Sequence, residues 1–220
     1  MNFMEPKLSQ ESIVKTAFDI LGEKQSIASL SMRALAKKAD VKAPALYWYF
    51  SNKQELLQKM AEAMENQLEL PDPELPWKQQ LLKFMENYYD LYTSFPCGAE
   101  LEIHTIPAYP SRLEHLEKMI TLLTENGFSK SDSNQTILAL HNMLIGQLMD
   151  LHQENYLRQE IINGNEFLKQ SIVFMRTYVT ENQLTGLSEG IENHGQDHDK
   201  EAFLTSVKVY LHGLSVLKDK

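Results

Sequence analysis

Residues 30–59, LSMRALAKKADVKAPALYWYFSNKQELLQK, constrain this chain more than any other stretch. They read as two short helices joined by a tight turn, with a third helix opening at the end. Ser31 is a candidate N-cap, its hydroxyl oxygen placed to accept from a free backbone N–H of the first turn. Met32, Leu35, Ala36 and Ala39 recur at helical spacing and face a core. Asp40-Val41 supplies the turn. Pro44 falls in the first turn of the next helix, where its missing N–H costs nothing, and Ala45 through Phe50 follow without a break. Ser51-Asn52 stops that helix and caps the one beginning at Lys53. Upstream, residues 9–24 open with Ser9 or Gln10 near a cap and carry Ile13, Val14, Ala17, Phe18, Ile20 and Leu21 on one broad apolar face. That helix braces the pair, and together they make a three-helix unit.

The helix after the turn carries more aromatic surface than one buried face can take. Leu46 and Phe50, at i and i+4, make the buried face. Tyr47, Trp48 and Tyr49 cannot all join them, so at least one large aromatic faces solvent or a partner. Lys37, Lys38, Lys42 and Lys53 surround it, with Arg33 on the helix before. A helix-turn-helix lays its second helix in the DNA major groove and sets flanking basic groups on phosphates. On that reading Arg33, Ala43, Pro44, Ala45, Tyr47, Trp48 and Tyr49 form the base-reading surface, the small residues allowing close approach to base edges. Lys42 and Lys53 then contact phosphates. The competing reading is a buried aromatic helix in an ordinary bundle.

A net charge of −9 argues at first against nucleic acid, but its distribution reverses that. Residues 1–60 hold nine Lys/Arg against six Asp/Glu, or +3, whereas the other 160 residues hold 12 against 24, or −12. A basic end on an acidic body is expected when only that end meets DNA. One cysteine, Cys97, excludes an intrachain disulfide and suits a reducing cytosol. The start, MNFMEPKLSQES, lacks the pattern of a signal peptide, and no apolar run is long enough for a membrane span. A cytoplasmic protein away from membranes is expected. Nucleophile-elbow, phosphate-loop, His-Glu-x-x-His and Cys-x-x-Cys motifs are absent, so no catalytic residue is assigned. The tract from His194 to Asp199 holds metal-ligand types but reads as a solvated acidic loop, so no metal site is assigned.

The rest of the chain is helical by pattern, giving an all-α fold: a helix-turn-helix domain over residues 1–60 and a helical ligand-binding and dimerisation body over 61–220. Helix four is expected from Lys53 to Leu70, ahead of the prolines at 71, 73 and 76. The body pattern gives helices over residues 77–95, 111–125, from 129 or 131 to 152, 166–181 and 201–217. Short segments at 98–104 and 105–110 separate the first two; residues 153–165 read as a polar stretch and 183–200 as a polar loop. The helices near 134–151 and 201–217 are apolar on more than one face. Each is therefore central in one subunit or packed on a second. Phe84, Met85, Tyr88, Tyr92, Met119, Met143 and Met149 supply an adaptable apolar interior.

The run from Leu30 to Leu57 resembles the DNA-binding segment of the TetR family of transcriptional regulators, with Leu46-Tyr47-Trp48, Phe50 and Asn52-Lys53 at the most diagnostic positions. The Leu-Tyr-Trp form is similar to the tetracycline-repressor branch. The strong resemblance covers residues 9–60, and a weaker one in helix order continues to the C-terminus. It implies a homodimeric repressor on a palindromic operator of double-stranded DNA, released by a small-molecule effector. It also implies a four-helix dimer bundle from the helices near 134–151 and 201–217, with Gly146 and Gly213 permitting close approach. In that branch a metal-ligating histidine precedes a Thr-Arg-Pro turn. The matching positions are Glu102, Thr105, Ile106 and Pro107, so glutamate replaces the histidine and isoleucine the arginine. Asp150 matches a carboxylate that helps hold the metal's water. Phe84 and Tyr88 match drug-gripping residues, the first an asparagine in the branch. With His104 and Met143 these form the expected effector site. Mg2+ accompanying the effector on Glu102 or His104 is the one cofactor considered, although the drug-specific polar set is largely missing. The alternatives are a helical enzyme using Asp150 and nearby histidines as acid–base groups, and a ligand-independent DNA-binding protein.

Overall fold

The computed structural model describes residues 8–193 and 199–218, and among them every regular element is a helix. The N-terminal head holds α1 (Gln10–Lys24), a single 3-10 turn (Ile27–Ser29), α2 (Met32–Lys38), α3 (Ala43–Tyr47) and α4 (Lys53–Glu65). Side chains close most of the head's helix starts. Ser9 and Ser12 form a reciprocal capping box on α1, Ser31 accepts from the Ala34 N–H at 3.1 Å, and Asn52 accepts from the Glu55 N–H at 2.9 Å. Ile13, Ala17, Leu21, Leu35, Leu46, Phe50 and Leu56 are buried together as the head's core.

Two head helices are shorter than their patterns. α3 ends at Tyr47, not Phe50, because the Tyr49 and Phe50 N–H groups both bond to the Leu46 carbonyl, at 2.9 and 3.0 Å. That tight turn swings Phe50 back into the core. α4 ends at Glu65 instead of Leu70, where the Leu68 N–H turns back to the Glu65 carbonyl at 3.0 Å and Leu68 becomes buried. α4 runs unbroken across residues 60 and 61, so it belongs to head and body alike.

The body comprises α5 (Trp77–Ser94), α6 (Gly98–Ile103), α7 (Pro110–Glu125), α8 (Lys130–Ile162), α9 (Glu166–Glu181), α10 (Thr185–Asn193) and α11 (Asp199–Lys218). α5 is central, packing on α6, α7, α8 and α11. The stretch expected to be irregular at 153–165 instead continues α8 to a length of 33 residues. Its Gln, Glu, Leu and Arg are good helix formers, and its polarity reflects exposure, not a break. Likewise α10 forms inside the expected loop at 183–200. The end of α8 with α9 and α10 projects as an arm: α9 packs on α8 and α10, and Val179 is its one buried residue. The acidic tract's residues 194–198 lie outside the described residues, and Asp199 opens α11. Among the described residues no helix is long and apolar enough to cross a membrane.

The corner from α5 to α6 is tight. Cys97 turns it in the left-handed region, at φ +58°, and Gly98 lies against α5. A Cβ on Gly98 would fall 2.3 Å from the Tyr92 carbonyl oxygen and 2.9 Å from its Cα, both rigid backbone. Gly98→Ala is therefore expected to lower stability by about 1–3 kcal/mol, read as a lower denaturant midpoint. An unchanged midpoint would mean that the corner relaxes freely.

Candidate nucleic-acid interface and buried polar cluster

Outside, the head presents α3. Leu46 and Phe50 face inward, while Tyr47 and Trp48 face solvent, Trp48 being 89 % exposed. Pro44 is exposed at the helix start, with Ala43 and Ala45 half-buried beside it, and Arg33 and Lys42 are exposed on the flanks. Two of the expected DNA-contacting residues, the base reader Tyr49 and the phosphate contact Lys53, are turned into the head. The Tyr49 hydroxyl donates to the Leu8 carbonyl at 2.8 Å, and Lys53 Nζ donates to the Ile27 carbonyl at 2.7 Å. Lys53 keeps two further N–H donors, but Tyr49 acts as a brace between α3 and the start of the chain.

Inside, five helices converge on ionisable side chains. Glu65 from α4, Glu102 from α6 and Arg112 from α7 are 0, 4 and 3 % exposed. Arg112 Nη2 lies 3.3 Å from Glu102 Oε1, and Nη1 lies 3.7 Å from Glu65 Oε2. Nη2 also donates to Nδ1 of His141 on α8 at 3.0 Å. The guanidinium sits over the Tyr88 ring, 4.8 Å from its centroid, and Nη1 reaches the Tyr92 hydroxyl at 3.4 Å. Tyr88 donates to Glu65, His115 Nδ1 lies 2.9 Å from Glu65 Oε1, and the Tyr109 hydroxyl donates to Glu102 at 3.2 Å. Two buried atoms, Glu65 Oε2 and Arg112 Nε, still lack a hydrogen-bond partner.

Burial sets the protonation in this cluster. It pushes the Glu102 carboxyl up from its ordinary value, with Arg112 offsetting only part of the shift. Burial and then the Arg112 charge push His141 down to about 4, so His141 is a neutral acceptor. Burial works against the Arg112 charge too, but Tyr92, Tyr88, Glu102 and Glu65 hold its pKa above the usual arginine value.

The structure brings only part of the expected effector site to this cluster. Phe84, Tyr88 and Glu102 are there. Met143 is half-buried on α8, whereas His104, Pro107 and Asp150 are exposed. The Thr105 hydroxyl is spent on the Leu101 and Glu102 carbonyls at 3.1 Å each. His104 faces outward toward Glu100, 3.9 Å away, so it does not converge with Glu102. Among the described residues no three His, Cys, Asp or Glu side chains gather as a metal site. The donor set does not fit Mg2+, since a guanidinium already stands beside Glu102. The main chain just past Glu102 is clamped to α4: Gln54 donates to the His104 carbonyl at 2.7 Å, and Gln58 both donates to the Ile106 carbonyl and accepts from its N–H at 3.1 Å. A much larger concavity, about 1130 Å³, lies elsewhere, as an open groove between α1, α4 and the end of α5 with charged residues along its rim.

Residues 13–60 match the family of bacterial regulatory proteins named tetR, and residues 70–217 match the tetracyclin repressor-like C-terminal domain. The chain belongs to the TetR family. Like other TetR-family members it is a DNA-binding transcriptional regulator, not an enzyme. It is 29 % identical to the class A tetracycline repressor from transposon 1721 of Escherichia coli over 66 % of this chain and 67 % of that protein. With the class D repressor of Escherichia coli the identity is 24 %, over 96 and 90 %. The TetR-family protein ActR of Streptomyces coelicolor, solved with actinorhodin, superposes with a TM-score of 0.76 at 19 % identity over 98 and 100 % of the two chains, a likeness of fold.

Glu65, Arg112, His115 and His141 were not among the expected site residues of this TetR-family regulator. A signal for them existed. Glu65 follows Ala61 by four positions and Leu57 by eight, on the apolar stripe of α4, and His141 lies on the stripe of Ile137, Leu144 and Leu148. A titratable group on a buried face needs a partner, and Arg112 is that partner.

The shift of Glu102 carries a pH signature. Its raised folded pKa means that its contribution favours the fold below the ordinary carboxylate range and is lost as pH rises through the folded value. Glu102→Gln mimics the neutral acid. Its stability relative to the parent is expected to rise with pH above the ordinary carboxylate range in denaturant melts. A constant difference across that range would place the pH dependence on another group.

Proposed function

We propose that the chain is a homodimeric, cytoplasmic repressor that holds a palindromic operator through α3 and releases it when a small molecule enters the Arg112 cluster. The carrying observation is Trp48: a large aromatic beside Tyr47, almost fully exposed, at the end of a short helix flanked by Arg33 and Lys42. A side chain of this kind in solvent has no stabilising role in the head, but it suits a base edge or thymine methyl. The division into a DNA-reading head, residues 1–60, and a body, residues 61–220, follows this separation of tasks. Within the head, Ala43, Pro44, Ala45, Tyr47, Trp48 and Arg33 are assigned to bases and Lys42 to phosphate, with Lys53 at most an additional phosphate donor.

Dimerisation through α8 and α11 is supported by Leu138, Val209 and Val216, large apolar side chains exposed in a single subunit, and by the open surroundings of Gly146 and Gly213. The arm adds Phe167, Val173, Phe174 and Tyr178 to the apolar surface that a second subunit would cover. Two such subunits set their α3 helices about one turn of B-DNA apart, about 34 Å. The α4–α6 clamp supplies the link from cluster to head. ActR, which shares the fold, was solved with actinorhodin, in keeping with a small-molecule effector. A hundredfold loss of operator affinity requires a coupling of about 2.7 kcal/mol, and linkage requires the operator to weaken the effector equally.

Footprinting on the chain's own upstream region is the direct test. Lys42→Ala is expected to reduce the salt slope of binding by about one while weakening all sequences alike, whereas Trp48→Ala should lose discrimination with little change in stability. A Trp48→Ala variant that still discriminates would remove α3 as the reader. Val209, 67 % exposed in one subunit, tests the dimer. Val209→Glu sets a charge in the proposed interface, so sedimentation should report monomers that no longer protect a palindrome. A dimeric Val209→Glu variant would rule this face out.

A further inference from the structure

The Arg112 cluster is built as a receptor for a cation, and the chain supplies one itself. Two carboxylates, Glu65 and Glu102, approach the guanidinium from two helices, and the Tyr88 ring lies beneath it at 4.8 Å. Carboxylates at the edge and an aromatic face below are the elements that hold planar cations. Against the two carboxylates stands one permanent positive charge, since His141 is a neutral acceptor. Phe84 packs edge-on to Tyr88 at 4.8 Å and Tyr92 lies 5.5 Å beyond, which extends the aromatic wall.

The fit to Arg112 is incomplete. Glu65 Oε2, wholly buried, accepts no hydrogen bond, and Arg112 Nε donates none. Leaving such atoms unpaired is costly, and a ligand bringing two parallel N–H groups would satisfy Glu65 better than an arginine Nη1 at 3.7 Å. Next to Arg112 the interior holds a void of only about 10 Å³, walled by Phe84, Tyr88, Leu116 and Leu144 among others. A ligand therefore enters by replacing the guanidinium, not by filling space beside it. An anionic effector meets the opposite conditions, because the arginine fork is already engaged and both flanking groups are carboxylates.

We propose that the effector of this regulator is a flat organic cation with N–H donors, an amidinium or guanidinium in class, and that the Arg112 guanidinium is the group it displaces. The proposal rests on the Arg112 cluster being the effector site. It also gives the release a route: Glu102 changes partner, and the main chain two to four residues further on is what Gln54 and Gln58 hold to α4.

Three probes with one ring and three charges test it: benzamidinium, neutral benzamide and benzoate, titrated by calorimetry into the full chain without DNA. Benzamidinium should bind at least about tenfold more tightly than benzamide, and benzoate should not compete with it, as expected for hydrogen bonds to charged partners. Arg112→Ala removes the internal competitor and should tighten benzamidinium by about tenfold or more. Glu102→Gln keeps the shape of the site and should weaken benzamidinium by a similar factor, so it decides the matter even if Arg112→Ala does not fold. The proposal is overturned if benzoate binds as well as benzamidinium, if Glu102→Gln leaves benzamidinium affinity unchanged, or if benzamidinium fails to bind the parent chain. Operator binding, measured separately, keeps the two readings apart. Benzamidinium at the cluster with no protected palindrome would sink the repressor and leave the cation site, whereas a protected palindrome with a preference for benzoate would do the reverse.

Discussion

The pairing of Arg112 with Glu65 and Glu102 is the interaction on which the body is organised. It joins α4, α6 and α7 directly, and through Tyr88, Tyr92 and His141 it recruits α5 and α8. Ionic groups this deep are poor stabilisers, since the loss of solvation offsets most of the attraction and an apolar set of similar volume commonly does as well. What they do impose is discrimination. Removing any one member leaves an unpaired charge, so the helices fit together in one arrangement and resist intermediate ones.

The head is held differently. Its core of aliphatic and aromatic residues runs on into that of the body, with Phe18 4.9 Å from Phe95, and its polar ties to the body run through side-chain amides and main-chain atoms. Gln54 and Gln58 grip main-chain atoms of residues 104 and 106, and the Ile27 N–H reaches the Glu100 carboxylate at 3.2 Å. Exposed hydrogen bonds of this kind contribute about 1 kcal/mol each, so they can be exchanged at little cost. A cluster with few permitted arrangements, joined to a head by replaceable bonds, is the combination that a two-state response needs.

The head was legible in the sequence because its signals are local. Ser9, Ser31 and Asn52 announce helix starts, Pro44 marks the first turn of α3, and the excess of aromatics in Tyr47-Trp48-Tyr49 foretells an outward face. Yet Tyr49 reads identically to its neighbours, and only its bond to Leu8, 41 positions away, turns it inward. The interior was legible in its apolar part, Phe84 and Tyr88, and opaque in its charged part. Glu65 and His141 stand on apolar helix stripes that mark them as buried, but Arg112 meets them across long separations, 29 positions in the case of His141, and nothing local names it as their partner. The polar stretch after residue 152 misled for another reason: polarity reports exposure, and an exposed helix without a core face loses the periodicity by which helices are recognised.

At 33 residues α8 is about 50 Å long, given the 1.5 Å rise per residue. No proline interrupts it, so it behaves as a stiff rod spanning the body from α7 to the arm. In the proposed dimer, packed against its counterpart, it would hold the two bodies at a fixed separation as a ruler does, and compliance would be left to the short elements. Any change in reach between the two heads must then come from α4 and α6 turning against that fixed frame. This makes the molecule a pair of calipers whose beam is rigid and whose jaws alone are adjustable.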